Sequence, residues 1–172
     1  MHIRLLTSAD KDEWWRLRLE SLEHDPEAFS SSVVEHRNLS VPEVQKRLDM
    51  GRDSFIVGAF ENQHLIGMAG FHREPGPKLH HKGRIWGVYV TQAHRGQGVG
   101  RQILGVLLDR VRGIEGVEQI SLSVTSTQTA ARALYLSLGF EQWGREPGAL
   151  KVNDRLIDEE YLNLRTKSPS GT

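Results

Sequence analysis

Apolar and polar positions along the 172-residue chain alternate between a period of two and a period near 3.6, and the changes of period predict the elements. An apolar run over 3–6 predicts a strand. Thr7 to Asp10 has the form of a capped helix start, and Trp14, Trp15, Leu17, Leu19 and Leu22 give the next helix a broad apolar side that Asp25-Pro26 ends. Residues 27–39 read as an irregular connection. Ser40-Val41-Pro42-Glu43 is a second capping signature, with Val44, Leu48 and Met50 facing inward and Gly51 as a stop. Strands are expected over 54–60 and 64–72, joined at Glu61-Asn62-Gln63. Further strands are expected over 83–90, 119–124, 140–145 and 156–164, with Val152-Asn153-Asp154 as the last turn. Helices are expected over 99–112 and 129–138.

The order β-α-α-β-β-β-α-β-α-β-β predicts a mixed α/β chain. Two strand-helix-strand crossovers, 83–124 and 119–145, make part of the sheet parallel. The length suits one domain over 1–165, and the polar segment 166–172 reads as a mobile tail. Twenty-two basic residues balance 22 acidic ones, which argues against a nucleic-acid partner. No apolar run approaches the roughly 20 residues of a membrane span. Met1-His2-Ile3-Arg4 leads into no apolar signal region, so a cytoplasmic location is expected. The chain has no cysteine, which excludes thiolate nucleophiles and thiolate metal sites.

The most informative stretch is Val88 to Arg101, where a strand enters a glycine loop that opens a helix. Glycines let backbone N–H groups approach a ligand, and a helix N-terminus favours an anion. Arg101-Gln102 stands where a Walker A loop needs Lys-Ser or Lys-Thr, and the G-x-G-x-G spacing is not the dinucleotide fingerprint. Six basic residues against Glu74 alone between Arg73 and Arg101 also favour an anionic ligand, whereas residues 1–37 carry five basic and eight acidic residues.

Arg95-Gly96-Gln97-Gly98-Val99-Gly100 resembles the Q/R-x-x-G-x-G/A loop of the GNAT superfamily of acyl-CoA-dependent N-acetyltransferases. Ala131-Arg132-Ala133-Leu134-Tyr135-Leu136-Ser137-Leu138-Gly139-Phe140 is similar to that family's A-x-x-L-Y-x-x-x-G-F segment. The resemblance covers residues 3–164. It implies a GNAT-like fold and direct transfer of acetyl from acetyl-CoA to a primary amine, on a small molecule or on a protein N-terminus or lysine. It implies that Val88, Tyr89 and Val90 bind pantetheine through their backbone, in a gap between the strand 84–90 and the strand 119–124. The amides of Arg95, Gly96, Gln97, Gly98, Val99, Gly100 and Arg101 would hold the pyrophosphate, and Tyr135 would protonate the departing thiolate. A homodimer through the C-terminal strands is compatible with it. A non-catalytic CoA-binding module and a nucleotide-binding protein are the competing readings.

Three positions depart from the family pattern. Gln128 replaces an Asn, and Arg84 and Ser123 stand where carboxylate bases are common. Deprotonating a lysine-type amine at pH 7 costs about 4.6 kcal/mol, against about 1 kcal/mol for an α-amine, so a missing base favours a weakly basic acceptor. Chain proximity nominates His72, Glu74, His80, His81 and Glu141 as substitutes. The eight histidines include no H-E-x-x-H, and no metal is expected; no G-x-S-x-G supports a serine nucleophile. Trp14, Trp15 and residues 27–39 fall where the family builds its acceptor site. At least one of these tryptophans is expected in the core. Trp86, Trp143 and the Asn153-Asp154 turn are further candidates for the cleft.

Overall fold

The computed structural model describes residues 1–49 and 51–166. The elements run β1 (His2–Leu5), α1 (Lys11–His24), α2 (Val33–Arg37), α3 (Val41–Leu48), β2 (Ser54–Glu61), β3 (His64–Arg73), β4 (Lys82–Val90), α4 (Val99–Arg112), β5 (Gln119–Thr125), α5 (Thr129–Ser137), β6 (Glu141–Val152) and β7 (Arg155–Arg165). The seven strands form one mixed sheet in the order β1-β2-β3-β4-β5-β7-β6. All pairings are antiparallel except β4 with β5.

Local chemistry accounts for the boundaries. Thr7 with Asp10 and Ser40 with Glu43 stand in capping-box positions, where each carboxylate accepts the N-cap amide, at 2.9 Å and 2.7 Å. Asn62 and Gln63, and later Asn153 and Asp154, have positive φ, as two-residue hairpin turns require. Four expectations are corrected. The stretch 27–39 is not wholly irregular, because Ser32 and Glu35 form a third capping box that starts α2. β6 does not stop at residue 145: a register irregularity between Glu146 and Leu150 absorbs Pro147-Gly148, and an Asp158 carboxylate oxygen accepts the Gly148 amide at 2.9 Å. The crossover through α5 does not bring β6 beside β5, because β7 lies between them. Thr166, expected in the tail, is tied to the sheet by its amide to the Glu118 carbonyl and its hydroxyl to the Val117 carbonyl. Residues 167–172 and Met50 lie outside the described residues.

The sheet is covered on both faces, so β2 and β3 are apolar almost throughout. Ile103, Leu104, Leu107 and Val111 of α4 pack on Val57, Ala69, Phe71, Ile85 and Ile120. On the other face Trp14 and Leu17 of α1 and Val44 and Leu48 of α3 pack on Ile56, Leu65, Met68 and Tyr89. Trp14 is the core tryptophan, at 1% exposure. In β4 the alternation slips once. Gly87 and Val88 stand opposite Ala69 alone, and Gly87 has φ +62°. This bulge keeps Trp86 and Tyr89 on the α1 face while Val88 and Val90 join the α4 face.

Gly87→Ala is expected to lower the unfolding free energy by about 1–2 kcal/mol, because a Cβ is strained at that φ. Gly105→Ala, mid-helix with open space around it, is expected to raise it by about 0.5–1 kcal/mol. Urea melts of the two variants check both signs.

Candidate active site

β4 and β5 pair only through Lys82↔Gln119, Gly83↔Ile120 and Arg84↔Ser121. Beyond Arg84 they part. β4 stays with β3 as far as Val90, and β5 stays with β7 as far as Thr125. A cleft of about 350 Å³ occupies the gap, lined by Ile85 to Val88 on one side and Leu122 to Val124 on the other. α5 contributes Ala131 and Tyr135, and residues 28–31 close it from the α1 side. Strand edges that lose a partner present N–H and C=O groups to whatever enters.

The glycine loop follows β4 directly, at the C-terminal ends of the parted strands. Gly96 and Gly98 have φ of +73° and +78°, which carries the chain sharply from strand into α4. Gly98 is the N-cap and offers no side chain, and the first turn of α4 holds no acidic residue. Its leading amides are therefore free of a side-chain cap and favour an anion. The Arg95 side chain is committed elsewhere: its Nε donates to the Val90 carbonyl at 2.9 Å and a terminal nitrogen pairs with Asp25 at 2.6 Å. Its amide donates to the Gln92 carbonyl at 3.3 Å, so the uncommitted amides of the loop begin at Gly96. Arg101 donates to the Ser137 hydroxyl at 2.5 Å, and a Cβ on Gly100 would meet Leu134 at 3.3 Å, so α4 and α5 approach closely beside the loop.

Of the residues singled out from the sequence, Val88, Gln128 and Tyr135 line the cleft together, with Arg84 and Ser123. Val90 packs toward α4. Tyr89 does not line the cleft: the bulge sends its ring to the α1 face, where its hydroxyl donates to Glu20 at 3.0 Å. Burial, reinforced by Glu20, raises its pKa. The loop residues 95–101 lie beyond the cleft lining.

Tyr135 is 5% exposed, and burial alone holds its phenol well above the ordinary range. Its ring meets Phe140 edge-on at 6.1 Å. α5 is anchored to the sheet by Arg132, whose Nε donates to buried Glu160 at 2.5 Å. The adjacent Glu159, paired in register with Thr125, lines the cleft instead. Sequence reasoning missed this carboxylate, because only the β5–β7 register brings it there. His72, Glu74, His80, His81 and Glu141 are not among the residues lining the cleft. Glu74 lines a neighbouring cavity with Arg84, Trp143 and Tyr161. Arg18 was also missed, although a signal was present: it stands four residues after Trp14 and four before Leu22, inside the apolar stripe of α1. Two ion pairs pin the segment over the cleft, Asp25 with Arg95 and Glu27 with Arg155 at 3.1 Å. Among the described residues, no cluster of three or more metal-ligating side chains occurs, and no helix is long and apolar enough to cross a membrane.

Comparison with known proteins agrees with this geometry. The profile of the Acetyltransferase (GNAT) family matches residues 13–140. The chain is 39% identical over 88 residues to N-alpha-acetyltransferase RimI of Mycobacterium tuberculosis, covering 51% of this chain and 52% of that one. It is 25% identical over 154 residues to the mycothiol acetyltransferase of Renibacterium salmoninarum, covering 85% of this chain and 44% of that one. The chain thus spans about half the length of these curated relatives. A Salmonella typhimurium protein, a putative acetyltransferase solved with its cofactor acetyl-CoA, superposes with a TM-score of 0.84 at 24% identity, covering 100% of this chain and 97% of that one.

His36 gives this region a pH dependence. It is buried, its Nε2–H donates to the Trp15 carbonyl at 2.9 Å, and burial, with Arg18 and Arg47 nearby, lowers its pKa. As pH falls below the unfolded value near 6.5, the unfolded chain takes up a proton that folded His36 refuses. Stability is then lost until the lower folded pKa is passed. Melting temperature is expected to fall from pH 7.5 to 5.5, and less steeply in His36→Gln. Equal slopes would remove His36 from the account.

Proposed function

The chain belongs to the GNAT acetyltransferase family, and from that membership we propose that it is an acetyl-CoA-dependent N-acetyltransferase that passes the acetyl group directly to a primary amine. The observation that carries this reading is the parting of β4 from β5 after Arg84, with a buried tyrosine in the gap and an uncapped glycine loop at its end. Acetyl-CoA supplies the activated acetyl group and a thiolate leaving group. The backbone of β4 from Val88 to Val90 holds the pantetheine arm, and the amides from Gly96 to Arg101 hold the pyrophosphate. The Gln128 amide, at the start of α5 in the cleft, orients the acyl end.

The amine attacks the acetyl carbonyl. The C–N bond forms, the C–S bond breaks, one proton leaves the nitrogen and one reaches the sulfur. Glu159 accepts the first and Tyr135 donates the second. Burial suits Tyr135 to that task, because it keeps the phenol protonated across the neutral range. Glu159 serves where Arg84 and Ser123 replace the usual carboxylates. Direct transfer agrees with a chain that contains no cysteine to carry an acyl intermediate.

Acetyl-CoA and CoA at 100 times their Kd are expected to stabilise the protein by about 2.7 kcal/mol, with ATP and NAD at matched concentrations giving no comparable shift in melting temperature. Without that selectivity the reading fails. With acetyl-CoA bound, Tyr135→Phe is expected to lower kcat by on the order of 100-fold while acetyl-CoA affinity is retained. Glu159→Gln is expected to remove the acidic limb of the kcat/KM–pH profile. Since the chain has no cysteine, released CoA thiol can be titrated with a disulfide reagent without background from the protein. Acetyl-CoA binding with no turnover of any amine would instead favour a CoA-binding module.

A further inference from the structure

Arg18 is only 7% exposed, yet no carboxylate pairs with it among the described residues. One terminal nitrogen of its guanidinium is closed off from solvent with no hydrogen-bond partner. The charged groups that act on it or on its neighbours are of the same sign. Arg47 depresses its pKa, and both arginines depress that of His36. Burial is the larger effect on Arg18 and brings it to about 10, so the group is still a cation at neutral pH. An uncompensated buried charge is costly, and an anion entering the cleft would relieve that cost.

The position of Arg18 indicates which anion. The Phe29 ring centroid lies 4.5 Å from the guanidinium carbon, a cation–π contact. A Cβ on Gly87 would lie 3.7 Å from the unpartnered nitrogen, so the guanidinium rests against the bulge of β4. Arg18, Phe29, Arg84, Trp86 and Glu159 all line the one cleft. Two guanidiniums there face a single carboxylate, and a zwitterion with its own carboxylate complements that set of charges. A planar guanidinium fork matches a carboxylate through two parallel hydrogen bonds. The pyrophosphate is assigned to the loop beyond Val90, which leaves Arg18 without an anion from the cofactor.

We propose that Arg18 is a carboxylate receptor, and that the acceptor is a small amino acid or amino-acid derivative whose free carboxylate lies close to the amine that is acetylated. The proposal rests on the acetyl-transfer reading above and deepens it. A peptide N-terminus or a protein lysine side chain carries an amide where this acceptor carries the charge, and leaves the buried cation unpaired.

The test compares free amino acids, their carboxamides and short peptides as acceptors, with acetyl-CoA stabilisation measured in parallel. Wild type is expected to favour the free acids over the matched carboxamides in kcat/KM by on the order of 30-fold or more, the usual cost of a buried charge without its partner. Arg18→Met, which replaces the guanidinium by an unbranched apolar side chain, is expected to collapse that ratio through a rise in KM for the acids. Arg18→Lys, which keeps the charge without the fork, is expected to retain part of it. Arg18→Met is also expected to melt above wild type without ligand, because the uncompensated charge is gone. Equal use of acids and carboxamides by wild type overturns the proposal, and that comparison needs no variant to fold. Equal loss on both acceptors in Arg18→Met overturns it as well and moves the charge's role to the thioester. Acetyl-CoA stabilisation with no turnover of any free amino acid overturns the acceptor class and leaves acetyl transfer standing. Absence of acetyl-CoA stabilisation overturns both.

Discussion

Strand β4 has to keep its pairing with β3 over its whole length while releasing β5 after three residue pairs, and nearly everything else at the site follows from that constraint. A strand that pairs on one edge and opens on the other needs its side chains redistributed, since one face must still be sealed by α1 and the other by α4. The slip at Gly87 does this. Without it Val88 would share a face with Trp86, and the Tyr89 ring would point toward α4. With it, Tyr89 closes the α1 core through Glu20, and Val88 is left as a small cleft wall beside Tyr135. The strain is confined to the one residue type that adopts this conformation without penalty.

The charges at the site divide into those that build and those that are left over. Glu160 and Arg132 hold α5, and hence Tyr135, against the sheet. Asp158 joins Arg145 and the Gly148 amide and keeps β6 in place across its irregularity. Successive residues of β7 point to opposite faces, so Glu159, between these two, emerges on the side of the cleft. The same logic applies to α1, where Arg16 pairs with Glu13 and Glu20 at the surface while Arg18 turns inward without a partner. Structural ion pairs thus surround two opposite charges at the cleft, Glu159, which meets the Tyr161 hydroxyl, and Arg18, which has no carboxylate partner among the described residues.

Much of this was legible in the sequence, because it is governed by local chemistry. Capping residues announced α1 and α3, and the turn residues announced both hairpins. The glycine loop and Tyr135 were visible as motifs. What was not legible depends on pairings between distant segments. The insertion of β7 between β5 and β6 cannot be read from chain order, and Glu159 reaches the cleft only because Thr125 pairs with it. Proline and glycine at 147 and 148 read as a stop, whereas a distant carboxylate lets the strand pass through. The Ser32–Glu35 box was present in the sequence but lay in a polar stretch too short for a helical period to stand out.

The two ion pairs over the cleft have a dynamic consequence. Asp25 with Arg95 and Glu27 with Arg155 fasten the segment above residues 28–31 to the glycine loop on one side and to the β6–β7 hairpin on the other. Both arginines are substantially exposed, and pairs of this kind each contribute at most about 1 kcal/mol. Releasing both therefore costs at most about 2 kcal/mol. Raised salt screens both fastenings together. The wall of the cleft is thus fastened at its two ends by charge, while Phe29 seats its middle by apolar packing, and only the first of these weakens as salt rises.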